Sequence, residues 1–101
     1  MPTTHDPHDT LRRGVLASVL DGPADTDSAL RRMVANGSGV PADLETLVAK
    51  IHAHAYRVTD ADVTVPASAR GEDSMFEVIV AASMGAAEQR LAAGLRALEQ
   101  A

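Results

Sequence analysis

Two histidines, His52 and His54, are the side chains of this sequence best suited to acid/base chemistry near neutral pH. They lie on a segment with helical periodicity, where each residue turns about 100°, so they point roughly 200° apart around the axis. From one helix they cannot bind the same metal ion. Each flanks the apolar stripe on a different side, and ordinary hydrogen bonding at a helix edge is the alternative for both.

Glu77 is the one charged residue between Met75 and Ala87. A carboxylate at the rim of a buried helix can have a raised pKa and can act as an acid or a base. The alternative is that Glu77 lies in the first turn of its helix, near the positive end of the helix dipole, and points to water.

Two aspartates, Asp60 and Asp62, follow Thr59 in the segment TDAD. They could ligate a cation, but no calcium-loop pattern accompanies them, and capping of a helix start explains the spacing better. Near the N-terminus, His5-Asp6-Pro7-His8-Asp9 could bind a transition metal weakly. A flexible tail over residues 1–8 is the preferred interpretation, followed by a single domain over residues 9–101.

The composition excludes several classes of function. The chain has no cysteine, which removes disulfides, thiolate metal sites and thiol redox cycling. Its net charge is −5, which disfavours a nucleic-acid partner. We expect neither a signal peptide nor a membrane span, because no apolar run is long enough. A cytoplasmic protein without cofactor or metal is the expectation.

The apolar spacing predicts an all-α chain with a helix in each of four segments, at residues 11–20, 28–36, 41–58 and 73–100. Gly37 is suited to close the second helix in the left-handed conformation. Thr59 and Asp62 form the pattern of a helix cap, so the chain restarts there. The stretch from Val63 to Pro66 is predicted as one helical turn followed by a loop.

The last predicted helix is apolar on nearly every face between Met75 and Ala87, which is typical of a central, buried helix. Gly85 and Gly94 each cost about 1 kcal/mol of helix propensity relative to Ala. Close approach of another helix would explain them. Aromatic residues make up only 2% of the chain, so one copy buries little area and we predict a homo-oligomer.

The segments HAYRVTDADV (54–63) and DSMFEVIVAASMGAAEQRLAAGLRAL (73–98) together resemble the core of the carboxymuconolactone decarboxylase and alkylhydroperoxidase-D-like (AhpD-like) superfamily. The resemblance implies an all-α bundle that assembles into oligomers. Redox members of that family use a Cys-x-x-Cys pair and a nearby His. The corresponding region here, roughly residues 56–62, has neither, and the connector at residues 64–71 also differs from the family.

The missing thiols exclude a thiol peroxidase but leave decarboxylase-type acid/base chemistry open. The resemblance implies His54, Asp60 and Glu77 as its catalytic residues. One hypothesis is therefore a thiol-independent enzyme or binding protein that holds a small anionic or carbonyl-bearing metabolite between the third and last helices. The other is a non-catalytic accessory or assembly subunit that self-associates through the C-terminal helix. A polar cavity containing His54 would favour the first hypothesis.

Overall fold

The helical periodicity of the sequence is realised throughout the part of the chain that the computed structural model describes, residues 7–100. This part contains five α-helices and no strand: α1 (Pro7–Asp21), α2 (Ser28–Asn36), α3 (Glu45–His54), α4 (Asp60–Arg70) and α5 (Glu72–Gln100). A single 3₁₀ turn precedes α3 at Ala42–Leu44, and another follows it at Ala55–Arg57. The all-α prediction is confirmed.

The first helix begins at Pro7, four residues before the start predicted from the apolar spacing. Proline suits a first helical position because its missing N–H would have no partner there. Residues 7 and 8, which the sequence suggested as tail, are therefore helical. The rest of that predicted tail, including His5 and Asp6, lies outside the described residues.

Two predicted helix boundaries are confirmed by their cap geometry. Gly37 closes α2 with φ of 74°, and its N–H donates to the carbonyl oxygen of Met33 at 2.8 Å. At the start of α4, the Thr59 side chain accepts from the N–H of Asp62, while the Asp62 carboxylate accepts from the N–H of Thr59. This reciprocal pair satisfies two backbone donors that a helix start leaves free.

The third helix is shorter than predicted. It ends at His54 rather than near Val58, because His54 takes φ −149° and ψ 68° and breaks the helical path before the 3₁₀ turn. The predicted stripe is buried at Leu44, Leu47, Val48 and Ile51, but Ala55 is exposed.

The helical turn predicted over residues 63–66 is confirmed, but the loop predicted after it was wrong, because α4 continues through Pro66 to Arg70. A proline inside a helix removes one backbone hydrogen bond and costs about 3 kcal/mol. Three features offset this cost: the cap at Thr59, the burial of Pro66, and ion pairs at both ends of α4. At the start of α4, Lys50 Nζ forms an ion pair with Asp62 Oδ2 at 2.7 Å. At its end, Arg70 Nε forms an ion pair with Asp43 Oδ2, also at 2.7 Å.

The helix α5 runs through the bundle with α2 and α3 parallel to it. The loop before α2 contacts α5 at Glu77, and the end of α2 contacts it at Gln89. Near the end of α3, Arg90 of α5 donates to the backbone oxygen of His52. The core lies between these helices and consists of Val34, Leu44, Leu47, Val48, Ile51, Met75, Val78, Ala81 and Ala82.

The helices α1 and α4 run antiparallel to α5. An ion pair joins Arg12 near the start of α1 to Glu88, whereas Ser18 near its end lines the same cavity as Phe76. The turn at Gly71 connects α4 directly to α5, so these two helices form a hairpin.

A close helix contact lies between α2 and α5, at Gly85. A Cβ atom added to Gly85 would lie 2.0 Å from the backbone oxygen of Ala35 and 2.5 Å from its Cα. The prediction that Gly85 permits close helix packing is therefore confirmed. Gly94, in contrast, would meet nothing within 4 Å.

We expect Gly85→Ala to lower the free energy of unfolding by about 1–3 kcal/mol, because the added methyl group must displace the α2 backbone. Gly14 provides the matched control, since it is also helical and a Cβ there meets nothing within 4 Å. Gly14→Ala should raise stability by up to about 1 kcal/mol through helix propensity. Urea denaturation measures both, and a stabilised Gly85→Ala variant would contradict the close contact.

Candidate functional site

His54, the first predicted catalytic residue, lies exposed at the end of α3. Its ring stacks edge to face with the ring of Tyr56, with centroids 5.8 Å apart. Asp60 lies exposed in the first turn of α4. Five shallow cavities in the described part of the chain have neither of these side chains in their lining.

Glu77, the third predicted catalytic residue, holds the loop between α1 and α2. Its carboxylate accepts hydrogen bonds from Thr26 Oγ1 at 2.6 Å, from the Thr26 N–H at 2.8 Å and from the Asp25 N–H at 3.0 Å. These bonds, led by that from the Thr26 side chain, lower the pKa of Glu77 below its usual value. A raised pKa was one of the two alternatives for Glu77, and the three donors shift it in the opposite direction.

The structure keeps His54 and Glu77 at different ends of the bundle. The backbone oxygen of His52 accepts from Arg90, 13 positions after Glu77 on α5. At about 1.5 Å per residue, these two levels of the helix are roughly 20 Å apart. Within residues 7–100, no hydrogen bond joins the imidazole of His54 to the carboxylate of Glu77. They therefore do not form an acid/base pair in this arrangement.

Arg31 is a buried cation that sequence reasoning did not single out. It is 4% exposed, and its guanidinium donates to the backbone oxygens of Val19 and Gly22 at 2.7 Å and of Thr26 at 3.3 Å. Among the described residues its Nε has no partner. The cation lies at the end of α1, where the helix dipole favours positive charge. No motif signals this role, because its partners are backbone carbonyls.

Arg31 and Glu77 together fix the loop from Gly22 to Asp27. Arg31 binds carbonyl oxygens of this loop, Glu77 binds its N–H groups, and the charge of Arg31 also contributes to lowering the pKa of Glu77. Hydrogen bonds to charged groups contribute about 1.5–3 kcal/mol each when buried. Both side chains are thus used by the fold itself.

His52, which the sequence offered as a second acid/base candidate, joins three helices. Its Nε2 lies 2.8 Å from the backbone oxygen of Val34, and its Nδ1 lies 3.3 Å from Gln89 Oε1. Gln89 in turn donates to the backbone oxygen of Asn36. Because the backbone oxygens of Val34 and Asn36 lie in the last turn of α2, His52 and Gln89 cap that helix. This is the ordinary hydrogen bonding at a helix edge that the sequence left open for His52.

The side of α5 that points away from the core is apolar and accessible, and we call it the outer face. Seven positions lie within roughly 80° of one another around the axis: Phe76, Val80, Ser83, Ala87, Leu91, Gly94 and Leu98. None carries a charge, and all are exposed except Val80, which is half-buried. The buried positions Val78, Ala82 and Gly85 lie on the opposite side of the helix.

The outer face has two different surroundings along its length. In the first half, Phe76 is 61% exposed and stands between two shallow cavities of about 310 and 380 Å³. One cavity has α1 and its following loop as its wall, and the other has α4. In the second half, every residue from 89 to 100 is exposed, including Leu91, Leu95 and Leu98.

Two kinds of site have no support in the described part of the chain. Within residues 7–100, no three His, Asp or Glu side chains converge in a way that could hold a metal ion. None of the helices in the same range combines the length and the apolar character that crossing a bilayer requires.

No protein-family model matches the chain, and neither a curated protein nor a solved structure matches it. The resemblance to the AhpD-like superfamily therefore depends on the sequence alone, and most strongly on the segments at residues 54–63 and 73–98.

The Glu77 contacts predict how stability depends on pH. Because the folded-state pKa of Glu77 lies below the usual value of 4.5, its stabilisation is complete above that pH and is lost as the pH falls through the folded-state pKa. Glu77→Gln should lower the free energy of unfolding at neutral pH by about 1–2 kcal/mol, allowing for partial exposure. It should also reduce the acid-dependent loss of stability.

Glu99→Gln is the control for this experiment, since Glu99 is an exposed carboxylate near the end of α5. Urea denaturation of the wild type and both variants between pH 7 and about pH 3 measures the effect. Equal pH dependence in the wild type and Glu77→Gln would show that the loop contacts contribute nothing.

Proposed function

We propose that this chain is a non-catalytic accessory or assembly subunit whose copies associate through α5. The observation that carries the proposal is the outer face, which is uncharged and exposed along a helix whose opposite side is the protein core. Between Met75 and Ala87, α5 is apolar on nearly every face, and such a helix is normally buried on all sides. In a single copy, α5 is buried on one side only.

The separation of the predicted catalytic residues supports the same choice. An acid/base enzyme needs its groups within reach of one substrate. His54 is exposed at one end of the bundle, whereas the carboxylate of Glu77 is engaged by three donors at the other. Self-association needs none of these groups and uses the outer face, which is accessible in the described part of the chain.

Binding of a small anionic metabolite is the second candidate, and the cavity of about 310 Å³ next to Arg31 favours it. Arg31 supplies a buried positive charge there, and Val19 and Val80 supply apolar walls. The candidate ranks second because the guanidinium is already bound by three carbonyl oxygens and is close to the negative charge of Glu77. An increase in the melting temperature of the monomer on addition of a short-chain carboxylate, measured by calorimetry, would favour this binding function.

We also propose that the bundle is of the AhpD-like type. Support comes from the two sequence segments that carry the resemblance and from the long C-terminal helix that follows a capped, shorter one. The proposal concerns the arrangement of the helices and includes no thiol chemistry, since the chain has no cysteine.

Leu91→Glu tests the proposed function. Leu91 is 41% exposed on the outer face, so a charge there should leave the helical circular dichroism unchanged while opposing association by desolvation. We expect sedimentation equilibrium at micromolar concentration to give an oligomer for the wild type and a monomer, or at least a tenfold weaker association (about 1.4 kcal/mol), for the variant.

Val65→Glu is the matched control, since Val65 is 69% exposed on α4 and lies outside the outer face. It should associate like the wild type. A monomeric wild type, or equal weakening by the two substitutions, would refute association through α5.

A further inference from the structure

We infer that two copies pair through the outer face with their α5 helices antiparallel and with a two-fold axis close to Ala87. The inference rests on the proposed self-association and adds to it the partner's orientation and register. In this arrangement, the second half of α5 from one copy lies on the first half of α5 from the other.

Size matching along the outer face selects this register. With the axis near Ala87, positions equally far before and after it face each other. Val80 then faces Gly94 of the partner subunit, and Ser83 faces Leu91 of the partner subunit. Ala87 faces its own copy. Each large side chain in the middle of the contact therefore meets a small one, which allows two helices to approach at the usual 8–10 Å.

The groove around Phe76 supports the same arrangement. Phe76 would face Leu98 of the partner subunit at each end of the contact. The partner's helix would lie between α1 and α4 and cover the cavities of about 310 and 380 Å³ on both sides of Phe76. The exposed ring, the cavities beside it and the exposed end of α5 would be buried by a single contact that occurs twice by symmetry.

A parallel pair fits the same face poorly. It would place Phe76, Leu91 and Gly94 each against its own copy, so the two copies of Gly94 would leave a gap that Val80 fills in the antiparallel pair. The helix dipoles would also be aligned side by side, whereas an antiparallel pair opposes them.

Charge and area are both compatible with a second copy as the occupant. The segment from Glu88 to Gln100 carries two Arg and two Glu, so its formal charges cancel although the whole chain is at −5. The outer face extends over roughly 33 Å of helix, from Phe76 to Leu98. Together with the neighbouring residues of α1 and α4, this face would bury an area on the order of 800 Å² per partner, which is the size of a standard interface.

Cysteine cross-linking in this cysteine-free chain tests the orientation. A disulfide requires Cα atoms within about 7 Å. In the antiparallel pair, two copies of Val80→Cys, or two copies of Gly94→Cys, have their thiols roughly 21 Å apart along the axis. Neither variant should cross-link alone, whereas an equimolar mixture of the two should give a disulfide-linked dimer. Ala87→Cys alone should also cross-link.

Sedimentation of the same proteins shows whether they are dimers or monomers, independently of cross-linking. Cross-linking of the mixture and of Ala87→Cys, without cross-linking of Val80→Cys or Gly94→Cys alone, is the expected result. Cross-linking of Val80→Cys and Gly94→Cys separately would overturn the inference in favour of a parallel pair. A dimer in sedimentation without any cross-link would overturn the register but leave self-association standing. A monomer would refute the proposed function together with the inference.

Discussion

The contact between Gly85 and the backbone of Ala35 determines how the long helix is oriented in the bundle. No side chain fits between α2 and α5 at this point, since an added Cβ would lie 2.0 Å from the Ala35 oxygen. The contact directs Val78 and Ala82 of α5 into the core, where both are fully buried. By the geometry of a helix, the opposite side of α5 must then face outward. The exposure of Phe76 and Leu98 follows from a contact on the other side of the helix.

Two charged side chains extend this arrangement to the first helix. Arg31 binds carbonyl oxygens at the end of α1 and in the following loop, and Glu77 binds N–H groups of the same loop. Because each charge meets backbone partners, neither is available to a substrate without loss of those bonds. The group that looked most suited to chemistry on α5 thus stabilises the wall of the groove in which Phe76 lies.

Local signals in the sequence predicted what depends on local interactions. The cap at Thr59 and Asp62 and the left-handed Gly37 are each specified within a few positions. The helix-propensity cost of Gly85 indicated a close helix contact, but not that Ala35, which is distant in sequence, makes it. The continuation of α4 through Pro66 was missed because local rules penalise an internal proline.

Part of the compensation for Pro66 comes from residues distant in sequence, since Lys50 and Asp43 form ion pairs with Asp62 and Arg70 at the two ends of α4. The pairing of His54 with Glu77 failed for a similar reason. It assumed that the end of α3 meets the start of α5, but α3 runs parallel to α5, so its end reaches Arg90 instead. The apolar periodicity of two helices does not predict whether they pack parallel or antiparallel.

Hydrogen–deuterium exchange as a function of protein concentration tests the central claim, that the outer face of α5 is covered by a second copy. In a single copy, residues 89–100 are all exposed, and the part of α5 beyond the contacts of Gln89 and Arg90 is a helix end that opens readily. The account predicts that amide protection in this segment rises with concentration, while protection in α2 and α3 stays constant over the same range. Exchange in residues 89–100 that is fast and independent of concentration would contradict it.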